Sequence, residues 1–258
     1  MKKENILIWG LVALFAALMS IPFLIPHTGI LALFGLVPLL CMERIADAYG
    51  KKRIWIYHYT AFVLWNAITT FWVCNATVGG GIFAVLANSL QMSLVFGLFR
   101  ESKKKFNGSL PYIFLAFTWI AWERFYFDAE ISWPWLVLGN SFARTTWAIQ
   151  WYEFTGTLGG SLWVWACNLG LFGLFVSFSD GSFFRWNGKA RLASTAGYLI
   201  VLIAPFIISP VIGKEYKDAM AEGEQLPVLI VQPNIDPYNK FEALTQDEQN
   251  AILEAQMV

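Results

Sequence analysis

The sequence has little charge, and this shortage excludes most classes of soluble protein. Only 14% of its 258 residues are charged, whereas ordinary soluble domains carry about 25%. Hydrophobic residues make up 57% of the chain and aromatic residues 17%, with a mean hydropathy of +0.52. The formal net charge is zero. This composition predicts a protein built for lipid, and we expect no nucleic acid among its partners.

Cysteine and histidine are also scarce. Cys41, Cys74 and Cys167 lie far apart in or beside apolar runs, and none belongs to a C-x-x-C motif. The two histidines, His27 and His58, have no partner at ligand spacing. We therefore expect no disulfide framework, no metal site and no cofactor, and we interpret the cysteines as small buried hydrophobes.

Seven apolar runs approach the 20 or so residues that a membrane-spanning helix requires. They are Asn5–Ile25, Gly29–Met42, Ile54–Val73, Gly80–Phe99, Leu110–Trp122, Leu158–Phe178 and Leu192–Ile212. The first run is too long for a signal peptide and leads at once into the second, so we interpret it as an anchor. The sequence predicts an all-α polytopic membrane domain over residues 1–212.

Basic residues are distributed unequally between the two sides of this predicted domain. With the N-terminus in the cytoplasm, the inner segments hold thirteen of the eighteen lysines and arginines. The outer segments hold Arg124, Arg144, Lys214, Lys217 and Lys240. The positive-inside rule supports this orientation, which places everything after Ile212 outside.

The chain changes character after the seventh run. Residues 213–227 form a polar extracytoplasmic linker, and Val228–Val231 has the length and apolar character of a strand buried on both faces. Pro233 and Pro237 end this segment in a turn. Thr245 and Glu248 then have the spacing of a capping box that begins a helix. A single strand and helix cannot form a core, so residues 228–258 are predicted to begin a further domain.

The longest segment between two runs, Glu123 to Thr157, is rich in aromatic residues. One interpretation is a belt of aromatic rings at headgroup depth. The other is a re-entrant loop that shapes a lipid site, because Pro134 and Gly139 break helix inside the apolar stretch SWPWLVLGNSF.

Polar residues within the runs have structural interpretations. Glu123 and Arg124 suggest a structural ion pair, with a headgroup site as the alternative. Asn66, Asn88 and Gln91 suggest hydrogen bonds between helices. We expect the same role for Thr69 and Thr70.

Four stretches resemble the apolipoprotein N-acyltransferase family. They are WNAITTFWVCNATVGGGIF (65–83), WERFYFDAEISWPWLVLGNSF (122–142), YEFTGTLGGSLWVWACNLGLF (152–172) and VLIVQPNIDPYNKF (228–241). The second resembles an E-x-n-FPWL-x-x-G segment in which Trp133 replaces a common Phe. The last resembles the start of the family's nitrilase-like domain, and its Pro233 and Asp236 resemble Bacteroidetes-type members.

The resemblance implies a nitrilase-like αββα sandwich on the outer face of the bacterial inner membrane. Its Glu-Lys-Cys triad moves an acyl chain from a phospholipid to the α-amino group of the S-diacylglyceryl cysteine that begins an apolipoprotein. All three catalytic residues, and an eighth spanning helix, are expected after Val258, so the chain as given is predicted to be inactive.

We take seven residues as candidates for binding lipid or substrate. They are Glu123, Trp133, Pro134, Trp135, Gly139, Asn140 and Phe241. Phe241 aligns with a functionally sensitive Trp of the family and departs from it. Two alternatives to the acyltransferase remain open: a membrane transporter, and a non-catalytic membrane scaffold.

Overall fold

The computed structural model describes residues 3–130, 132–223, 226–236, 240 and 243–257. Its helices in chain order are α1 (Lys3–Leu24), α2 (Ala32–Gly35), α3 (Val37–Ala48), α4 (Ile54–Thr70), α5 (Val78–Ser102), α6 (Leu110–Phe127), α7 (Tyr152–Ser179), α8 (Ser182–Arg185), α9 (Gly188–Glu222) and α10 (Gln246–Ala255). Short 3₁₀ turns include Gly29–Leu31 before α2 and Phe71–Asn75 after α4. Within the described residues the regular structure is entirely helical, and the prediction of an all-α membrane region is confirmed at this level.

Five segments of the described chain are long and apolar enough to cross a membrane. They are Lys3–Leu24, Gly29–Ala48, Val78–Ser102, Tyr152–Ser179 and Gly188–Glu222. The other two predicted runs are also helical, but shorter. The 17 residues of α4 rise only about 26 Å. The 18 residues of α6 include Glu123 and Arg124. The count of seven spans therefore stays a prediction.

Buried aromatic rings join α4, α5, α6 and α7 into one core. Phe62 packs against Phe96 at 6.1 Å and against Trp119 at 5.7 Å between ring centroids. Trp119 continues the chain of rings to Trp165 at 5.5 Å. All four side chains are fully buried. Aromatic contacts of this kind add specificity where lipid supplies no hydrophobic driving force between helices.

Hydrogen bonds between helices accompany this packing, as predicted for some of the polar residues. Asn88 Nδ2 donates to Asn66 Oδ1 at 2.7 Å, joining α5 to α4, and Trp122 Nε1 donates to Gln91 Oε1 at 3.2 Å. Thr69 and Thr70 instead donate to carbonyls one turn back in their own helix, so their predicted interhelical role is wrong. A threonine in a helix readily bonds in this way because its hydroxyl reaches the i−4 carbonyl.

Asn168 of α7 stabilises the break between α2 and α3. Its Oδ1 accepts the N–H of Leu36 at 2.8 Å and of Val37 at 3.2 Å, and its Nδ2 donates to the carbonyl of Ala32. The side chain is fully buried. One amide thus satisfies backbone groups that the interruption of the helix leaves free.

The end of the chain differs in part from expectation. Helix α9 continues to Glu222, so the first ten residues of the predicted 213–227 linker are helical. The capping box is confirmed, because Thr245 Oγ1 accepts the Glu248 N–H and Glu248 Oε2 accepts the Thr245 N–H. Val228–Val231 form no strand, and Ile230 is 85% exposed. A strand needs a paired neighbour, and the described residues contain none, so the β-α unit stays a prediction.

Candidate functional site

Helices α6 and α7 are joined by a segment that we call the aromatic loop, residues 128–151. Of this segment, residues 128–130 and 132–151 are described, and they contain three 3₁₀ turns at Pro134–Leu136, Leu138–Phe142 and Thr146–Ala148. Proline at 134 begins the first turn, where its missing N–H costs no hydrogen bond. The loop is therefore folded without being an α-helix.

The middle of the aromatic loop is inserted between helices. Leu138 and Phe142 are fully buried, and the Phe142 ring lies 4.8 Å from that of Trp163 in α7. Gly29 allows this insertion, because a Cβ at that position would lie 2.7 Å from the Phe142 ring. Trp135 and Trp147 remain about half exposed at the edge of the loop. The non-helical backbone is thus covered by protein, as a re-entrant loop requires.

Glu123 holds this loop from α6. Its carboxylate is 1% exposed and accepts the N–H of Leu138 at 2.9 Å and the indole N–H of Trp119 at 3.0 Å. The predicted ion pair with Arg124 is wrong: Arg124 pairs with Asp128 on the exposed face of the helix. Neighbouring residues of a helix point in different directions, whereas residues four apart share a face. Glu123 forms no ion pair with any described residue.

Two side chains of α7 form hydrogen bonds with Gly139, the loop residue that follows Leu138. The Gly139 N–H donates to Ser161 Oγ at 3.0 Å, and the Tyr152 hydroxyl donates to the Gly139 carbonyl at 3.0 Å. Gly139 must be glycine for this approach, since a Cβ there would lie 2.1 Å from the Thr157 carbonyl oxygen. We call Glu123, Ser161 and Tyr152 the clamp.

The clamp fixes one wall of a cavity that we call the mouth cavity, with a volume of about 490 Å³. Its lining comes from the end of α1, the end of α4 with the turn that follows, and the aromatic loop. The lining residues are Pro22, Phe23, Thr69, Thr70, Trp72, Trp135, Leu136, Asn140, Ala143 and Arg144.

The mouth cavity combines apolar rings with one cation. The Trp72 and Trp135 rings meet edge to face at 5.2 Å. Asn140 Nδ2 donates to the Pro134 carbonyl at 2.8 Å and closes the turn behind Trp135. Arg144 is exposed and donates to the Leu24 carbonyl through Nη1 at 3.3 Å. A guanidinium carries five N–H donors, so it can hold an anionic ligand beside this contact.

The predicted site residues therefore separate into groups. Trp135 and Asn140 line the mouth cavity, and Pro134 and Gly139 shape the loop behind them. Glu123 is buried in the clamp. Trp133 lines a smaller cavity of about 160 Å³ with Gln91 and Tyr126, and its indole N–H has no hydrogen-bond partner among the described residues. Phe241 lies outside the described residues.

Sequence reasoning missed three of the polar residues of the mouth cavity, Thr69, Thr70 and Arg144. The available signal for Arg144 was its position, since it is one of only five basic residues on the predicted outer side. The threonines gave no separate signal. Among the described residues, no group of three His, Cys, Asp or Glu side chains could hold a metal ion, and the three cysteines are free.

Comparisons with known proteins give the family. Residues 15–170 match the family described as the apolipoprotein N-acyltransferase N-terminal domain. The chain is 27% identical over 226 residues to the apolipoprotein N-acyltransferase of Chlorobaculum tepidum, an alignment that covers 86% of this chain. This chain spans 40% of the length of that relative. No solved structure matches the chain.

Proposed function

We propose, from the premise that this chain belongs to the apolipoprotein N-acyltransferase family, that it forms the membrane region of an enzyme that N-acylates apolipoproteins. The acyl donor would be a phospholipid, and the acceptor the α-amino group of an N-terminal S-diacylglyceryl cysteine. The observation that carries this proposal is the family match over residues 15–170, which includes both the clamp and the mouth cavity.

The proposed topology has seven spans, with the N-terminus in the cytoplasm and the segment after α9 in the periplasm. Five long apolar segments, together with α4 and α6, support this count. The thirteen basic residues on the predicted inner side support the orientation. The inner membrane is the proposed location, because the acyl acceptor of the family is presented at its outer face.

The mouth cavity is the proposed entry point for the phospholipid. Trp72 and Trp135 offer an apolar edge to acyl chains, and Arg144 offers a cation to the phosphodiester group. Trp and Tyr side chains favour the boundary between acyl chains and headgroups, so a lipid at this depth would meet both parts. In this proposal Trp135 and Asn140 contact the lipid. Glu123 supports the loop from behind and does not contact the lipid.

The chemical step would belong to a nitrilase-like domain that residues 228–258 begin. The Glu-Lys-Cys triad implied by the resemblance is expected after Val258. A cysteine thiolate would attack the acyl ester carbonyl, so that a thioester forms while the ester C–O bond breaks and the lysophospholipid leaves as an alcohol after taking up a proton. The acceptor amine would then attack the thioester, so that an amide forms, the C–S bond breaks, the amine loses a proton and the cysteine leaves as a thiolate. None of the three cysteines of this chain is assigned to that role, so we propose that the 258 residues alone transfer no acyl group.

A chimera tests this function. Residues 1–227 of this chain replace the corresponding region of the Chlorobaculum tepidum enzyme, and N-acylation of a diacylglyceryl peptide in proteoliposomes is followed by mass spectrometry. We expect acylation by the chimera and none by the 258-residue chain. A chimera that inserts and folds like the parent enzyme but leaves the amine free would contradict the proposal.

Substitutions in the chimera then separate the proposed roles. Arg144→Gln is expected to raise the KM for the phospholipid with little change in kcat, because it removes a binding contact made in ground and transition state alike. Arg124→Gln is the matched control, since that arginine pairs with Asp128 on an exposed helix face away from the cavity. Equal kinetics for the two variants would remove Arg144 from the site.

A further inference from the structure

A second cavity lies between the aromatic loop and α9 and has no role in the proposed reaction. We call it the lysine cavity. Its volume is about 570 Å³. Its charged lining residues are Lys214, Lys217 and Asp218, and its apolar lining includes Trp147, Pro210 and Met220.

The wall on the loop side is firmly attached to α9. Ser209 is fully buried, and its Oγ accepts the Gln150 N–H at 3.0 Å. A Cβ on Gly213 would lie only 3.3 Å from the Gln150 side chain, so the two elements are in close contact there. The Trp147 ring also packs against Phe206 at 5.8 Å. The cavity therefore has a fixed floor and is open at its rim.

The charges of the lysine cavity favour an anion. Neither lysine forms an ion pair with a described residue, and the three charged groups sum to +1. The nearby Glu153 and Glu215 line a separate cavity, where the Tyr216 hydroxyl donates to Glu153 at 3.3 Å. Basic residues of this chain are concentrated on the predicted inner side, and only five lie on the outer side. Two of these five, Lys214 and Lys217, line the same cavity.

The lysines of this cavity follow the apolar part of α9, at the end where a spanning helix would meet lipid headgroups. Ile203, Ile207, Pro210, Lys214 and Lys217 follow a spacing of three and four residues, so they share one face of α9. Ile207 is 64% exposed on this face, and the lysines lie about 10 to 15 Å further along the axis. A lipid whose acyl chains lie against the isoleucines would bring its phosphate to the lysines.

We propose that the lysine cavity binds the phosphodiester headgroup of an anionic phospholipid, such as phosphatidylglycerol, with its acyl chains along α9. This site shares no lining residue with the mouth cavity, and it would anchor α9 to the bundle through lipid. It uses the proposed orientation of the chain but requires no acyl transfer.

Native mass spectrometry of the 258-residue chain, released from nanodiscs, measures the lipids that remain bound. We expect phosphatidylglycerol to be retained at least about fivefold more than phosphatidylcholine, since each basic residue near anionic lipid contributes about that factor. Lys214→Gln/Lys217→Gln should reduce phosphatidylglycerol to the level of phosphatidylcholine. Lys189→Gln, at the other end of α9, is the matched control and should change nothing.

Two further measurements can still disprove the proposal if the double variant unfolds. Asp218→Asn should increase the preference for phosphatidylglycerol, because it removes the negative charge from the cavity. Glycerol 3-phosphate at millimolar concentration should not displace the lipid, because it lacks acyl chains. Equal retention of the two lipids by the unmodified chain, no response to Asp218→Asn, or displacement by glycerol 3-phosphate would each overturn the site. Because no acylation is measured, such a failure leaves the proposed function standing.

Discussion

Two apolar regions of this molecule have the composition of membrane spans but very different surroundings. In the spanning window of Gly29–Ala48, 67% of the residues are buried inside the protein, against 6% in that of Gly188–Glu222. The first region is interrupted between α2 and α3, and Asn168 bonds to the backbone N–H groups that this interruption leaves without a helical partner. Helix α9 is continuous, and its contacts with the bundle include Val201, Phe206 and Ser209.

The difference shows that hydropathy alone does not report how a span is held in place. The bundle is stabilised by its own rings and hydrogen bonds, whereas most of α9 faces outward and depends on what covers it. In a bilayer that cover is lipid, which solvates apolar side chains as well as protein does. The comparison predicts that replacing an apolar side chain lowers the free energy of unfolding much more in the first region than in α9.

The largest expected effect comes from a pair of identical substitutions, one in each region. Leu39→Ala in α3 removes a fully buried side chain and should lower the free energy of unfolding by about 2 to 5 kcal/mol. Leu192→Ala in α9, where the side chain is 71% exposed, should cost less than about 0.5 kcal/mol. Unfolding in mixed micelles, followed by helical circular dichroism, measures both. Similar losses at the two positions would break the comparison.

The clamp gives the next largest effect. Glu123→Leu leaves the N–H groups of Leu138 and Trp119 buried without an acceptor, which should cost about 2 to 4 kcal/mol. Glu123→Gln keeps one acceptor oxygen and should cost about 1 kcal/mol. The rate of amide hydrogen exchange at Leu138 should rise more in Glu123→Leu than in Glu123→Gln. The matched control is Glu101→Gln, an exposed residue whose pair with Lys104 contributes little.

Two glycines extend the comparison to the aromatic loop and α7, since Gly139 lies in a close contact and Gly173 does not. Gly139→Ala forces a methyl group against the Thr157 carbonyl and should cost about 2 to 3 kcal/mol by overpacking. Gly173→Ala in α7 meets no atom within 4 Å and should be neutral or stabilise the helix by up to about 1 kcal/mol. Thermal unfolding of the two variants in the same detergent tests this. Equal melting temperatures would mean that the loop does not approach α7 so closely.

The smallest effect concerns α10, far from the bundle in sequence. Bonding to the N–H of Thr245 and to its hydroxyl lowers the pKa of Glu248. A carboxyl whose pKa is lowered in the folded state stabilises that state above its unfolded pKa. This contribution is lost as pH falls through the folded pKa. The protection of the amides in residues 246–255, which is the exchange rate corrected for its intrinsic pH dependence, should therefore fall at acidic pH, and Glu248→Gln should abolish this loss of protection.

The features that sequence predicted correctly are local. The capping box at Thr245 and Glu248 depends on residues three apart, and the apolar runs depend on continuous stretches of chain. The hydrogen bond between Asn66 and Asn88 could be predicted because each is a polar residue in an apolar helix and the two helices follow each other closely in the chain. Signals of this kind need no knowledge of the tertiary fold.

The features that sequence missed depend on contacts between distant segments. Glu123 accepts from Leu138 only because the aromatic loop folds back onto α6. Its neighbour Arg124 was the nearest partner in sequence and lies on the wrong face of the helix. The mouth cavity likewise joins α1, α4 and the loop, so no single stretch of sequence could indicate that Arg144 lies near Trp72.

Photo-crosslinking from a phospholipid tests the central claim most directly, namely that the mouth cavity receives the acyl donor. The chain is placed in nanodiscs with a phosphatidylethanolamine that carries a diazirine near its ester bonds, and labelled peptides are mapped by mass spectrometry. We predict labelling concentrated in residues 69–72 and 135–144, weakened by Arg144→Gln and unaffected by Arg124→Gln. Labelling spread evenly over the exposed faces of α5 and α9, with the aromatic loop unlabelled, would contradict the account.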